Sequence, residues 1–178
     1  MAVPDQIDAN DPERQAQELL NGLGSVGFPV PVEKLAKSIG VQVRFSPLDD
    51  ELSGMIFIKD GVPIIGVNSI HHPNRQRFTI AHELGHFQLH RDVLSDAVHV
   101  DKSFPVMMRD ANSATGWDRR EIEANQFAAA LLMPKSLIEH ALGGKPLDID
   151  DDRPLEEIAK KFRVSKQALE FRIRKLLY

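Results

Sequence analysis

Cysteine is absent from this 178-residue chain, which rules out disulfides and thiolate zinc sites alike. A transition metal, if one is used, must be held by His, Asp or Glu. Long apolar runs are missing too: none approaches the ~18 residues of a membrane span. The opening MAVPDQIDANDPERQAQELL is acidic and lacks the basic, apolar, small-residue order of a secretory signal, so a cytoplasmic protein is expected. Positive charge is not in excess. The net charge of −4 excludes a surface built throughout for nucleic acid. Aromatic residues make up 6%, with a single Tyr at the C-terminus. An Arg or His is therefore the expected donor for any developing oxyanion, although the sequence does not pick one.

What is present is ordinary globular material, 42% apolar and 27% charged, enough at this length to bury a core. Residues 12–23 read as a helix with Leu19, Leu20 and Leu23 to one side. VPVEKLAKSIG (30–40) reads as a second, opened by Pro31 and stopped by Gly40. VQVRF (41–45) alternates as a strand. SGMIFIKDG (53–61) and VPIIGVN (62–68) are apolar runs meeting at Asp60-Gly61, a hairpin signal. A helix starts near Pro73-Asn74, and residues 92–118 show no clear period. RREIEANQFAAALLM (119–133) is a strongly apolar helix ended by Pro134, and PKSLIEHAL a shorter one capped by Gly143. KPLDIDDDRP (145–154) is a charged connector. The tail reads as two helices around Val164-Ser165, with Ser165 a good N-cap. The expected class is α+β, a small antiparallel sheet of about three strands packed by several helices. The expected division is a domain over 1–144, with a helix pair over 145–178 packed on or next to it.

One stretch conflicts with its surroundings. RFTIAHELGHFQLH (77–90) carries His82, Glu83 and His86 inside an apolar helical segment, where ionisable groups are costly unless compensated. HEXXH places two histidines about 40° apart around a helix and one turn apart along it, so both can reach one cation, while Glu83 lies about 100° from His82. Zinc held by three protein ligands keeps an open position and brings the pKa of a water there to roughly 7. A nearby carboxylate can take that water's proton and pass it to a leaving amine. The pattern arises by chance in roughly one chain of this length in a few hundred. The competing account is a buried histidine pair satisfied by backbone or carboxylate partners.

A third ligand is expected, and no His follows in the H-x-x-G-x-x-H spacing. EIEAN (121–125) supplies a carboxylate. Glu121 and Asn125 share one helix face, so Glu121 can bind metal while Asn125 orients a ligand histidine. Glu123 points roughly 200° away from Glu121 and reads as a solvated first-turn acid. Glu123, Asp118, Asp92 and His90 stay open as alternative ligands. His90, two turns after His82, is also a candidate for substrate or supporting contact. His71, His72, His99 and His140 read as solvated.

RFTIAHELGHFQLHRD followed by EIEANQFAAALLMP closely resembles the ImmA/IrrE family of bacterial and phage metallopeptidases. VPVEKLAKSIGVQVRF and LSGMIFIKDGVPIIGVN upstream resemble the family's N-terminal portion, so the likeness spans roughly residues 20–140. It implies a zincin-like domain and a gluzincin-like site, with His82, His86 and Glu121 as zinc ligands and Glu83 as catalytic base; manganese or iron also suit such a set. It further implies a cytoplasmic regulator that cleaves a helix-turn-helix transcriptional repressor, derepressing genes for mobile-element transfer or the DNA-damage response. The second class of reading is a catalytically silent or conditional module of a toxin–antitoxin-like pair, acting by protein or DNA binding.

Residues 153–178 carry eight Lys or Arg against three Glu. Leu155, Ile158, Ala159 and Phe162 form one apolar face; Ala168, Leu169, Ile173 and Leu176 form the other. The shape resembles a helix-turn-helix with KQALEFRIRKLL as its second helix. DNA contact through this segment, with Arg172 and Arg174 as the residues to test, is the lesser reading beside packing or protein docking.

Overall fold

The computed structural model describes residues 11–94, 99–102, 116–144 and 153–177. Most of the 109–118 loop and of the 145–154 connector lies outside those residues, as do the side chains of His99 and Asp118. In chain order the elements are α1 (Pro12–Asn21), α2 (Val32–Ser38), β1 (Gln42–Ser46), β2 (Leu52–Lys59), β3 (Val62–Asn68), α3 (Pro73–Leu89), α4 (Arg91–Leu94), β4 (His99–Lys102), α5 (Gly116–Leu132), α6 (Lys135–Leu142), α7 (Arg153–Phe162) and α8 (Lys166–Leu177). The class is α+β, as expected.

Local chemistry sets many of the boundaries. Asp11 caps α1 by accepting from the Glu13 and Arg14 amides, at 3.4 and 3.3 Å, with Pro12 in the first turn. His72 caps α3 in the same way, its Nδ1 accepting from the Asn74 amide at 3.2 Å just ahead of Pro73. Gly143 closes α6 in the left-handed region at φ 59°. At the hairpin both Asp60 and Gly61 take positive φ, 52° and 77°, the requirement of a type I′ turn. Ser165 caps α8, its hydroxyl accepting from the Ala168 amide at 3.1 Å.

The sheet differs from expectation in two ways. It has four strands in the order β1-β3-β2-β4, and it is mixed rather than antiparallel, because β1 runs parallel to β3. β4 and the short α4 fall in the stretch that showed no period. The parallel pairing arises because the chain leaving β1 crosses the end of β3 before entering β2. Asn68, fully buried at the end of β3, holds that crossing. Its Nδ2 donates to the carbonyls of Leu48, Asp49 and Leu52 at 3.3, 3.2 and 2.9 Å, and its Oδ1 accepts from the Leu48 amide at 3.2 Å. One amide side chain thereby satisfies loop backbone that the sheet leaves unpaired.

Helices α3 and α5 form the centre. Ile80, Ala81 and Leu84 of α3 and Phe127, Ala128 and Leu131 of α5 are all buried, each large one contributing roughly 1.5–3 kcal/mol of apolar burial. Gly85 permits the close approach, since a Cβ there would lie 3.0 Å from Ala124 Cα. β2 closes on α3 just as tightly at Gly54, where a Cβ would meet Thr79 Cγ2 at 2.4 Å and the Gly66 carbonyl at 2.8 Å.

The tail helices bury Ile158, Ala159, Phe162, Ala168, Leu169 and Ile173. Arg172 goes with them: it is 2% exposed, its Nε donates to the Met133 carbonyl at 3.0 Å and its guanidinium forks onto both Glu13 oxygens. A guanidinium committed in this way is not available to a phosphate, so the DNA reading loses one of its two test residues; Arg174 remains exposed. No helix among the described residues is long and apolar enough to cross a membrane.

Candidate metal centre

His82 and His86 stand one turn apart on the α5-facing side of α3, 3% and 2% exposed, with Nε2 atoms 3.0 Å apart. From α5, Glu121 reaches both: Oε2 lies 3.3 Å from His82 Nε2 and Oε1 lies 3.2 Å from His86 Nε2. One ligand atom from each of the three lies within 4.8 Å of the others. Burial raises the Glu121 pKa, but when the two imidazoles are protonated their hydrogen bonds and charge outweigh it and hold the carboxyl well below the usual carboxylate range. Two imidazole nitrogens and an anionic oxygen converging on one buried point fit a zinc-type cation in chemistry and number.

The outer nitrogens are engaged as well. His82 Nδ1 lies 3.0 Å from Asn125 Oδ1; the amide oxygen can only accept, so the ring carries its proton at Nδ1 and leaves Nε2 as a lone pair facing the other ligand atoms. Phe78, one turn earlier, stacks on the His82 ring at 6.4 Å between centroids. Glu83 is fully buried, with one oxygen 3.9 Å from where a Gly54 Cβ would be, against β2.

The open alternatives separate. Glu123 turns away from the three-residue group, and its carboxylate takes His90 Nε2 at 2.9 Å and Arg119 Nε at 2.9 Å. Its pKa is lowered, burial raising it while the His90 and Arg119 hydrogen bonds prevail. Glu123 is thus no solvated first-turn acid; its partner lies 33 residues away, beyond what helix geometry alone can show. Asp92 is exposed on α4. His72 and His140 are exposed as expected, whereas His71 is half-buried with Nε2 3.3 Å from the Asp50 carbonyl. A cavity of about 440 Å³ opens between the start of α3 and the α7–α8 turn, walled by Phe78, Val164 and Ala168 with His72, Asn74, Arg75 and Ser165 around it.

The sequence profile of the IrrE N-terminal-like domain, peptidase family M78, matches residues 36–174. The chain belongs to this family. The matched span runs through α7 and into α8, so it extends beyond the residue 140 suggested by the motifs. The radiation response metalloprotease IrrE of Deinococcus radiodurans is 34% identical over 134 residues, 71% of this chain and 34% of that protein. The chain thus spans about a third of the length of that curated relative. A solved structure of a Mycobacterium tuberculosis transcriptional regulator shares the fold, with a TM-score of 0.60 at 18% identity, over 91% of this chain and 46% of that one.

Proposed function

We propose that this chain is a zinc-dependent endopeptidase that acts as a cytoplasmic regulator, cleaving a helix-turn-helix transcriptional repressor and so derepressing its target genes. The observation that carries the reading is the meeting of His82, His86 and Glu121 at one buried point, with Glu83 on the same turn of α3. Membership of a peptidase family supports the hydrolytic class. The name of the Deinococcus relative, a radiation response metalloprotease, supports a stress-linked role.

A divalent cation at this point would supply Lewis acidity toward a carbonyl oxygen and toward water. His82, His86 and Glu121 would hold it, with Asn125 keeping the His82 lone pair aimed inward. Glu83, enclosed by α3 and β2, takes the proton of the attacking water and delivers it to the leaving nitrogen. Burial of the carboxylate keeps bulk water from competing for that proton. The cavity beside Phe78 gives an apolar substrate side chain a place one turn from His82.

Metal analysis and cleavage assays on wild type and Glu83→Gln test the reading. About one zinc per chain is expected in both, with cleavage of a co-encoded repressor lost in Glu83→Gln. Glu121→Ala should lose metal far more readily than Glu123→Ala. The reverse order would reassign the ligand. Zinc-independent DNA binding with no cleavage would favour the silent regulatory module instead.

A further inference from the structure

His86 is supported differently from His82. Its Nδ1 lies 3.2 Å from His90 Nδ1; the far nitrogen of His90, Nε2, lies 2.9 Å from Glu123 Oε2; and Glu123 Oε1 accepts from Arg119 Nε at 2.9 Å. Proton bookkeeping along this chain has one solution with neutral rings. The Glu123 carboxylate can only accept, so His90 carries its proton at Nε2. His90 Nδ1 is then a lone pair, which obliges His86 to carry its proton at Nδ1. The remaining lone pair of His86 is at Nε2, the atom 3.0 Å from His82 Nε2 and 3.2 Å from Glu121 Oε1.

We infer that His90 and Glu123 are positioning residues for the metal centre, with Arg119 steadying the carboxylate, and that they fix the tautomer and ring orientation of His86 through a His–His–carboxylate relay. The inference rests on the metal-binding reading above. His90 is built for this place. It is the residue that closes α3, its amide bonded to the His86 carbonyl at 2.9 Å, and it is 7% exposed. It is not itself a ligand, because its nearer nitrogen meets the side of His86 that faces away from Glu121. The two zinc-facing histidines are therefore held by unlike means. An amide oxygen holds His82 directly, whereas a carboxylate acts on His86 through an intervening imidazole.

Zinc affinity measured by competition with a calibrated chelator tests this, on the full chain carrying His90→Phe, His90→Gln, Glu123→Ala or the His90→Phe/Glu123→Ala pair. His90→Phe should weaken zinc binding about 10- to 100-fold and change the visible absorption of the cobalt-substituted protein. His90→Gln, whose amide can accept from His86 and donate to Glu123, should recover most of the affinity. The double variant should bind little worse than His90→Phe alone, since both changes break one relay. Thermal midpoints with the metal stripped separate packing from positioning. A loss of midpoint with wild-type affinity would mean that His90 is merely structural. Affinity of His90→Phe within twofold of wild type, or additive losses in the pair, would overturn the inference. His86→Ala and Glu121→Ala report on the underlying reading: if neither reduces zinc uptake, the metal-centre assignment fails; if both abolish it while His90→Phe does not, only the relay fails.

Discussion

Gly85→Ala is the sharpest probe of how the fold builds the site. The added Cβ would sit 3.0 Å from Ala124 Cα, 3.1 Å from the Ala124 carbonyl oxygen and 3.2 Å from Phe127 Cδ1. Carbon atoms settle at about 3.5–4.0 Å, so the first contact alone asks for about 0.5 Å of movement. Two of the three opposing atoms belong to helix backbone and cannot rotate aside. The helices must therefore part. Overpacking of this kind costs roughly 1–3 kcal/mol, and the better helix propensity of Ala returns about 1 kcal/mol. A net loss near 1 kcal/mol lowers the melting midpoint by about 2–4 °C in a domain of this size. The effect on the metal should be larger in proportion. α3 carries both histidines and α5 carries Glu121, and a site of this type tolerates only about 0.5 Å of displacement. Zinc affinity should fall about tenfold, equivalent to ~1.4 kcal/mol, so the midpoint should drop further with zinc than after chelation. Calorimetry or circular dichroism in both states, with chelator competition, measures each quantity. A midpoint and a zinc affinity at or above wild type would refute the reasoning, because propensity alone would then govern the position.

Other substitutions separate stability from chemistry. Asn125→Ala should cost about 10- to 100-fold in zinc affinity while leaving the chelated midpoint close to wild type; equal affinities would remove Asn125 from the support of His82. Asn68→Ala strips the crossing after β1 of its hydrogen bonds and should destabilise by roughly 2–3 kcal/mol, read by urea denaturation, and an unchanged midpoint would show that the loop holds itself. Arg172→Met leaves the Met133 carbonyl without its donor, but Glu13 is 43% exposed and can rehydrate, so the loss should be about 1–3 kcal/mol. An Arg172→Met chain of wild-type stability that had lost affinity for DNA would restore the helix-turn-helix reading.

How much of this was legible without coordinates depends on the range over which each feature is specified. Helix starts and stops were readable because caps such as Ser165 and Gly143 act on backbone two or three residues away. The hairpin was readable because Asp60 and Gly61 supply its backbone geometry themselves. β4 was not, since a four-residue strand carries too little alternation to be told from a loop. The parallel pairing of β1 escaped as well: alternation says which residues share a face but not which neighbour the strand takes. The role of Glu123 was missed for a related reason, its apparent isolation on α5 being an artefact of seeing one helix at a time. The only signal available was the i, i+4, i+8 spacing of His82, His86 and His90, which places His90 behind His86 without saying what lies beyond it.

The sequence by itself determined the donor chemistry. With no cysteine, and with two histidines and a glutamate at helical spacing, it limited any metal to imidazole and carboxylate and put Glu83 about 100° around the helix from His82, because a turn of α-helix has one geometry wherever it forms. Tertiary structure decided everything that depends on two elements meeting. It brought Glu121 to both histidines across the contact that Gly85 allows, set Glu83 against β2 at Gly54, drew Arg172 into the interior and coupled His86 through His90 to Glu123. Those choices come from packing between segments that are distant in the chain, where the fit of one surface to another, rather than the preference of any residue, selects the partner.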